Sequence, residues 1–220
     1  MIAESLTLES LGPPLVLSCL AVSGLVLSDY HRKRAGRYLF KPLAAAAFLW
    51  VALLPGLPVS PYARWLLAGL VCCALGDLLL MPDSEHFFLG GLAAFLCGHL
   101  LFATAFLQLP VNMGGLAASA LPALALLFIA MRWFSPHLER KMKVPVALYT
   151  LVITAMLLCA GLSYGHRAAP FIITGAWGFA ISDLAVARRQ FVVDSPYNGL
   201  WGTPLYFFSQ ILLACTTSLA

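Results

Sequence analysis

The chain has 220 residues, of which 61% are hydrophobic and 10% charged, with a mean hydropathy of +0.91. A soluble domain carries roughly a quarter of its residues as charges, so this composition excludes a water-soluble enzyme. The net charge of +4 comes from basic residues in short loops rather than on one face, which excludes a nucleic-acid surface.

About 20 apolar residues are needed to cross a bilayer. Eight stretches qualify, near 11–28, 38–55, 62–81, 87–108, 114–132, 144–162, 169–187 and 198–218. The first has no basic segment ahead of it and reads as a span rather than a cleaved signal. The second opens on Lys41 and Pro42, a proline that suits the first turn of a helix. Lys41 there can snorkel to the interface, meet a lipid phosphate, or pair with Asp77. The third span holds Asp77. The fourth holds His99 near its middle, and a lone buried histidine is more often a satisfied core residue than a catalyst. The fifth and sixth carry no group that draws attention. The seventh holds Asp183, with Ser182 before it but no histidine to activate that hydroxyl. The eighth places Tyr206 and Gln210 four residues apart on one face. No polar segment is long enough to fold by itself, so residues 1–220 read as a single transmembrane domain: an all-α bundle of eight spans.

The six cysteines fall in apolar spans, in no CxxC or Cys/His spacing, and read as small buried hydrophobes. The histidines show no metal-binding pattern, so neither metal nor cofactor is expected. Eleven basic residues, from Arg32, Lys33, Arg34, Arg37 and Lys41 through Arg132, Arg140, Lys141 and Lys143 to Arg188 and Arg189, fall on one side. Only Arg64 and Arg167 fall on the other. The positive-inside rule then puts both termini outside the cytoplasm. Short loops and the absence of sorting signals suggest a bacterial inner membrane.

Asp77 and Asp183 are the most informative residues. A carboxylate within hydrocarbon costs about 3 kcal/mol or more and usually serves a function there. Spans three and seven run in the same direction, and each aspartate lies about 6 Å from the cytoplasmic end of its span. Two carboxylates in one closed site titrate as a pair, one protonated while the other is ionised, which suits general acid and base work. The alternative is an inter-helix hydrogen bond or an ion pair with Lys41. The segments GLVCCALGDLLLM and GAWGFAISDLAVA align around the two aspartates, 106 residues apart, as a parallel repeat of a four-span unit would.

This set resembles the YhhN-like lysoplasmalogenases, small eight-span membrane proteins. The resemblance rests on KPLAAA at Lys41, ALGDLLLM at Asp77, FLGGLAAFLCGHLLF with His99, GAWGFAISDLAVA at Asp183, and LYFFSQILL with Tyr206 and Gln210. Phe102 departs from it, standing where a tyrosine is expected. The resemblance implies hydrolysis of the vinyl ether of a lysoplasmalogen, giving a fatty aldehyde and glycerophospho-ethanolamine or -choline. It implies a lysophospholipid substrate drawn from the bilayer. Asp77 and Asp183 are then the catalytic candidates, and Lys41, His99, Tyr206 and Gln210 the substrate-binding ones. The competing reading is a proton-coupled transporter using the same aspartates, although both lie near one face rather than at the midplane. A non-catalytic lipid-binding protein is a third, and it would tolerate Asp→Asn at both sites.

Overall fold

The computed structural model describes residues 7–220. Eight α-helices account for most of them: α1 (Leu8–Tyr30), α2 (Arg34–Leu53), α3 (Pro61–Leu79), α4 (Glu85–Phe106), α5 (Met113–Phe134), α6 (Arg140–Leu162), α7 (Ala169–Phe191) and α8 (Tyr197–Cys215). Among the described residues there is no strand. Local chemistry sets several starts. The Ser60 hydroxyl accepts from the Ala63 amide with Pro61 in the first turn of α3, and the Asn112 side chain accepts from the Gly115 amide at 3.0 Å. The basic residues Arg140, Lys141 and Lys143 form the first turn of α6, and Arg188 and Arg189 extend α7 beyond its apolar stretch.

Six helices (α1, α3, α4, α5, α6 and α7) are long and apolar enough to cross a membrane. The other two are those in which polar residues interrupt the apolar run: Arg37 and Lys41 in α2, and Asn198, Ser209 and Gln210 in α8. Large apolar side chains such as Leu20, Leu121, Phe128 and Phe208 stand on the outer surface at more than half exposure. A soluble protein of this size would hide them, and the chain is an integral membrane protein.

Successive helices pair as hairpins, α1 with α2, α3 with α4, α5 with α6 and α7 with α8. Contacts of α2 with α3 and α8, of α4 with α6, and of α6 with α7 close six helices into a ring. Helix α1 lies outside it against α2 and α8, and α5 lies outside it against α6. Small residues bring the ring helices together, as they must where lipid offers no hydrophobic drive for association. Between α3 and α4, a Cβ on either Gly69 or Gly98 would lie 3.3 Å from the other's carbonyl oxygen. That oxygen can retreat only if the helices separate. Gly98→Leu is therefore expected to destabilise the fold by about 1–3 kcal/mol, read as a lower thermal midpoint of the detergent-purified protein. An unchanged midpoint would contradict this helix contact.

Candidate active site

Each of the six ring helices sends at least one polar side chain to the centre: Lys41 from α2, Asp77 from α3, His99 from α4, Tyr149 from α6, Asp183 from α7 and Tyr206 from α8. They form two clusters built alike. Asp77 is 2% exposed; its Oδ1 lies 3.3 Å from Lys41 Nζ and its Oδ2 accepts from the Tyr206 hydroxyl at 2.7 Å. Asp183 is held through one oxygen: Oδ2 accepts from the Tyr149 hydroxyl at 2.9 Å and lies 3.0 Å from His99 Nε2. Its Oδ1 takes part in no hydrogen bond among the described residues, and the side chain is 13% exposed.

Aromatic rings join the clusters. Phe179 lies between them, stacked on the His99 ring at 4.3 Å and edge-on to Tyr206 at 5.3 Å. Phe95 closes the other flank of Tyr206 at 5.8 Å. His99 is fully buried, and its second nitrogen, Nδ1, sits 3.3 Å from the Met156 sulfur.

Both aspartates line one cavity of about 820 Å³, together with Lys41, Tyr149 and Tyr206. That volume lies in the range of small-molecule sites. One wall is apolar, made by Leu126, Ala130, Phe134, Val146 and Ile153 from α5 and α6. The mouth is charged with both signs. Arg37 pairs with Asp29 at 2.9 Å and reaches Asp83, while Lys141 bridges to Glu85 at 2.7 Å, linking α6 to α4.

The sequence candidates thus separate. Asp77, Asp183, Lys41 and Tyr206 line the cavity. His99 stands behind Asp183, outside the lining. Gln210, one turn beyond Tyr206, is fully buried away from the cavity wall, and neither of its amide atoms has a hydrogen-bond partner among the described residues. Tyr149 escaped the sequence reading because a tyrosine in an apolar span draws little notice. The signal that could have found it is spacing: Tyr149 follows Lys41 by 108 residues, Asp183 follows Asp77 by 106, and Tyr206 follows His99 by 107. Among the described residues no three His, Cys, Asp or Glu side chains come together as a metal site.

A carboxylate with two donors on it can stay charged in a dry site, and one with a free oxygen facing a cavity can exchange a proton with a bound molecule. Two carboxylates so held on one cavity have the geometry that acid–base chemistry needs.

A profile of the YhhN family matches residues 36–217. Among curated proteins, the chain is 34% identical over 171 residues to lysoplasmalogenase TMEM86B of Homo sapiens, covering 78% of this chain and 69% of that protein. It is 36% identical over 175 residues to lysoplasmalogenase TMEM86B of Rattus norvegicus, covering 78% and 67%. It is 34% identical over 158 residues to a lysoplasmalogenase of Mycobacterium tuberculosis (strain CDC 1551 / Oshkosh), covering 69% and 59%. No solved structure matches the chain.

Proposed function

The chain belongs to the YhhN family, and from that premise we propose that it is a lysoplasmalogenase, a membrane enzyme that hydrolyses the vinyl ether of a lysoplasmalogen. The observation that carries the mechanism is the pair of aspartates on one cavity with an apolar wall and a charged mouth. The alkenyl chain lies along Leu126, Ile153 and their neighbours. The zwitterionic headgroup stays at the mouth, its phosphate near Arg37 and Lys141 and its ammonium near Asp83 and Glu85.

Cleavage begins with proton transfer to the β-carbon of the vinyl ether, whose π electrons form the new C–H bond. The oxocarbenium ion left behind takes up water, which gives its proton to a carboxylate. The hemiacetal then collapses to a fatty aldehyde and the glycerol hydroxyl. The partners of the aspartates divide the work. Lys41 lies against Asp77, and we assign Asp77 the negative charge that stabilises the oxocarbenium ion. Asp183 has an oxygen, Oδ1, free of hydrogen bonds among the described residues, and is assigned to the side that supplies the proton. This role for Lys41 departs from the expectation that it meets the headgroup phosphate.

The same arrangement supports a four-helix unit used twice. Each aspartate is held by one group from the preceding helix of its own half, Lys41 or Tyr149, and by one from the last helix of the other half, Tyr206 or His99. With all eight helices spanning, the basic loops support a cavity mouth on the cytoplasmic side of a bacterial inner membrane, with both termini outside.

The test is incubation of the purified protein in detergent with lysoplasmalogen and with a matched ester lysolipid. Aldehyde from the first and no fatty acid from the second is the expected result; a carrier, which needs two compartments, would release neither. EDTA is expected to leave the rate unchanged. Inhibition by EDTA that zinc reverses would replace this mechanism with a metal-assisted one.

A further inference from the structure

The contact between His99 and Met156 bears on which protons the site can move. A thioether sulfur accepts hydrogen bonds weakly and has nothing to donate. At 3.3 Å from that sulfur, Nδ1 makes a favourable contact only if it carries a hydrogen. A bare Nδ1 would set lone pair against lone pair in a fully buried place, where an unsatisfied acceptor is costly. We propose that Met156 fixes the tautomer of His99 with a hydrogen on Nδ1, so that the Asp183–His99 pair holds one transferable proton.

The consequence follows from the other nitrogen. With Nδ1 protonated, the Nε2 lone pair points at Asp183 Oδ2, 3.0 Å away, and one further proton is shared by the two groups. Carried by Asp183 on its free Oδ1, that proton can join the substrate carbon, and what remains is a neutral imidazole beside a carboxylate. In the opposite tautomer Nε2 already carries a hydrogen towards Oδ2, so the imidazole cannot share the further proton, which would rest on Asp183 alone. Tyr149 serves both states of the pair. Its hydroxyl lies 2.9 Å from Oδ2 and 3.3 Å from Nε2, so it can donate to whichever is left without a hydrogen. Met156 is thus a positioning residue that acts through His99 and touches no substrate.

The groups that face this pair are few. Tyr149 on α6 is in direct contact with it. Within electrostatic reach lie Cys73 and Asp77 on α3 and Tyr206 on α8, with Lys41 of α2 on Asp77. Lys41 lies 3.3 Å from Asp77 Oδ1, so the charge nearest the pair already has a partner.

The inference rests on the proposed hydrolysis for its purpose, but its test does not depend on activity. Protein labelled with 15N-histidine is titrated in detergent, with His99→Gln identifying the His99 signals among the five histidines. Nδ1 is expected to remain protonated across the titration while Nε2 moves between its protonated and bare states. A neutral His99 with hydrogen on Nε2 and a bare Nδ1 would overturn the proposal, whatever the protein hydrolyses. Met156→Leu keeps the volume and removes the acceptor. It is expected to lower kcat on the order of tenfold to a hundredfold, to move the pH profile, and to leave KM unchanged. A wild-type kcat and pH profile in Met156→Leu would also overturn it. Absence of aldehyde release from wild-type protein whose Nδ1 is protonated would count against the hydrolase reading alone.

Discussion

Asp77→Asn and Asp183→Asn are each expected to lower kcat by about 10²–10⁴-fold, the usual cost of losing a positioned acid, base or charge. The two losses differ in kind. An amide at 183 cannot carry a proton to carbon, yet its oxygen can still accept from the Tyr149 hydroxyl, so the cluster keeps its shape. An amide at 77 keeps the bond from Tyr206 but removes the negative charge that faces Lys41, leaving that ammonium uncompensated beside the developing oxocarbenium ion. The cation of the transition state would then meet a net positive site. Rates of aldehyde release at saturating substrate, with the fold checked by thermal unfolding, decide the matter. Full activity in either folded variant would exclude a mechanism that needs both carboxylates. The pH dependence of kcat/KM should be bell-shaped in the wild type and should lose the limb belonging to the proton-supplying pair in Asp183→Asn.

The helices and the two aspartates were legible in the sequence because both rest on local cost. A run of twenty apolar residues has few other structures open to it, and a carboxylate inside such a run is too expensive to be casual. Neighbour relations were not legible. The contacts of α4 with α6 and of α2 with α8 close the ring, but no connecting loop joins those pairs. A helix that is apolar towards lipid and apolar towards protein also carries little periodic signal of which face points in. For the same reason Gln210 reads as a neighbour of Tyr206 on the cavity wall, whereas it is buried behind it. Tyr149 and Met156 look like ordinary membrane residues until the fold puts them on either side of His99. Lys41 was the most ambiguous, since snorkelling, phosphate binding and an ion pair all suit a lysine near the end of a span. Only its place against α3 shows that its nitrogen meets Asp77.

That pairing makes Lys41→Met the most discriminating substitution after the aspartates. If Lys41 held only the headgroup phosphate, the variant would raise KM and spare kcat, because a contact made equally in the ground and transition states affects binding alone. With its nitrogen 3.3 Å from Asp77 Oδ1 and its side chain 16% exposed, removal instead strands a carboxylate that is 2% exposed. Breaking one partner of a buried pair costs about 3–5 kcal/mol, most of it the penalty of the charge left behind. The partial exposure of Lys41 argues for the lower end. Either that charge stays and weakens the fold, or it is neutralised and lost to catalysis, and kcat is expected to fall by about 10²–10³-fold with KM little changed. The double variant Lys41→Met with Asp77→Asn separates the two effects. Removing both charges leaves no ion unpaired, so the thermal midpoint should recover towards the wild type while activity stays as low as in Asp77→Asn alone. Additive losses of stability in the double variant would show that the pair is not coupled. A raised KM with an intact kcat in Lys41→Met would return this lysine to the headgroup and leave Asp77 without its charge partner in the mechanism.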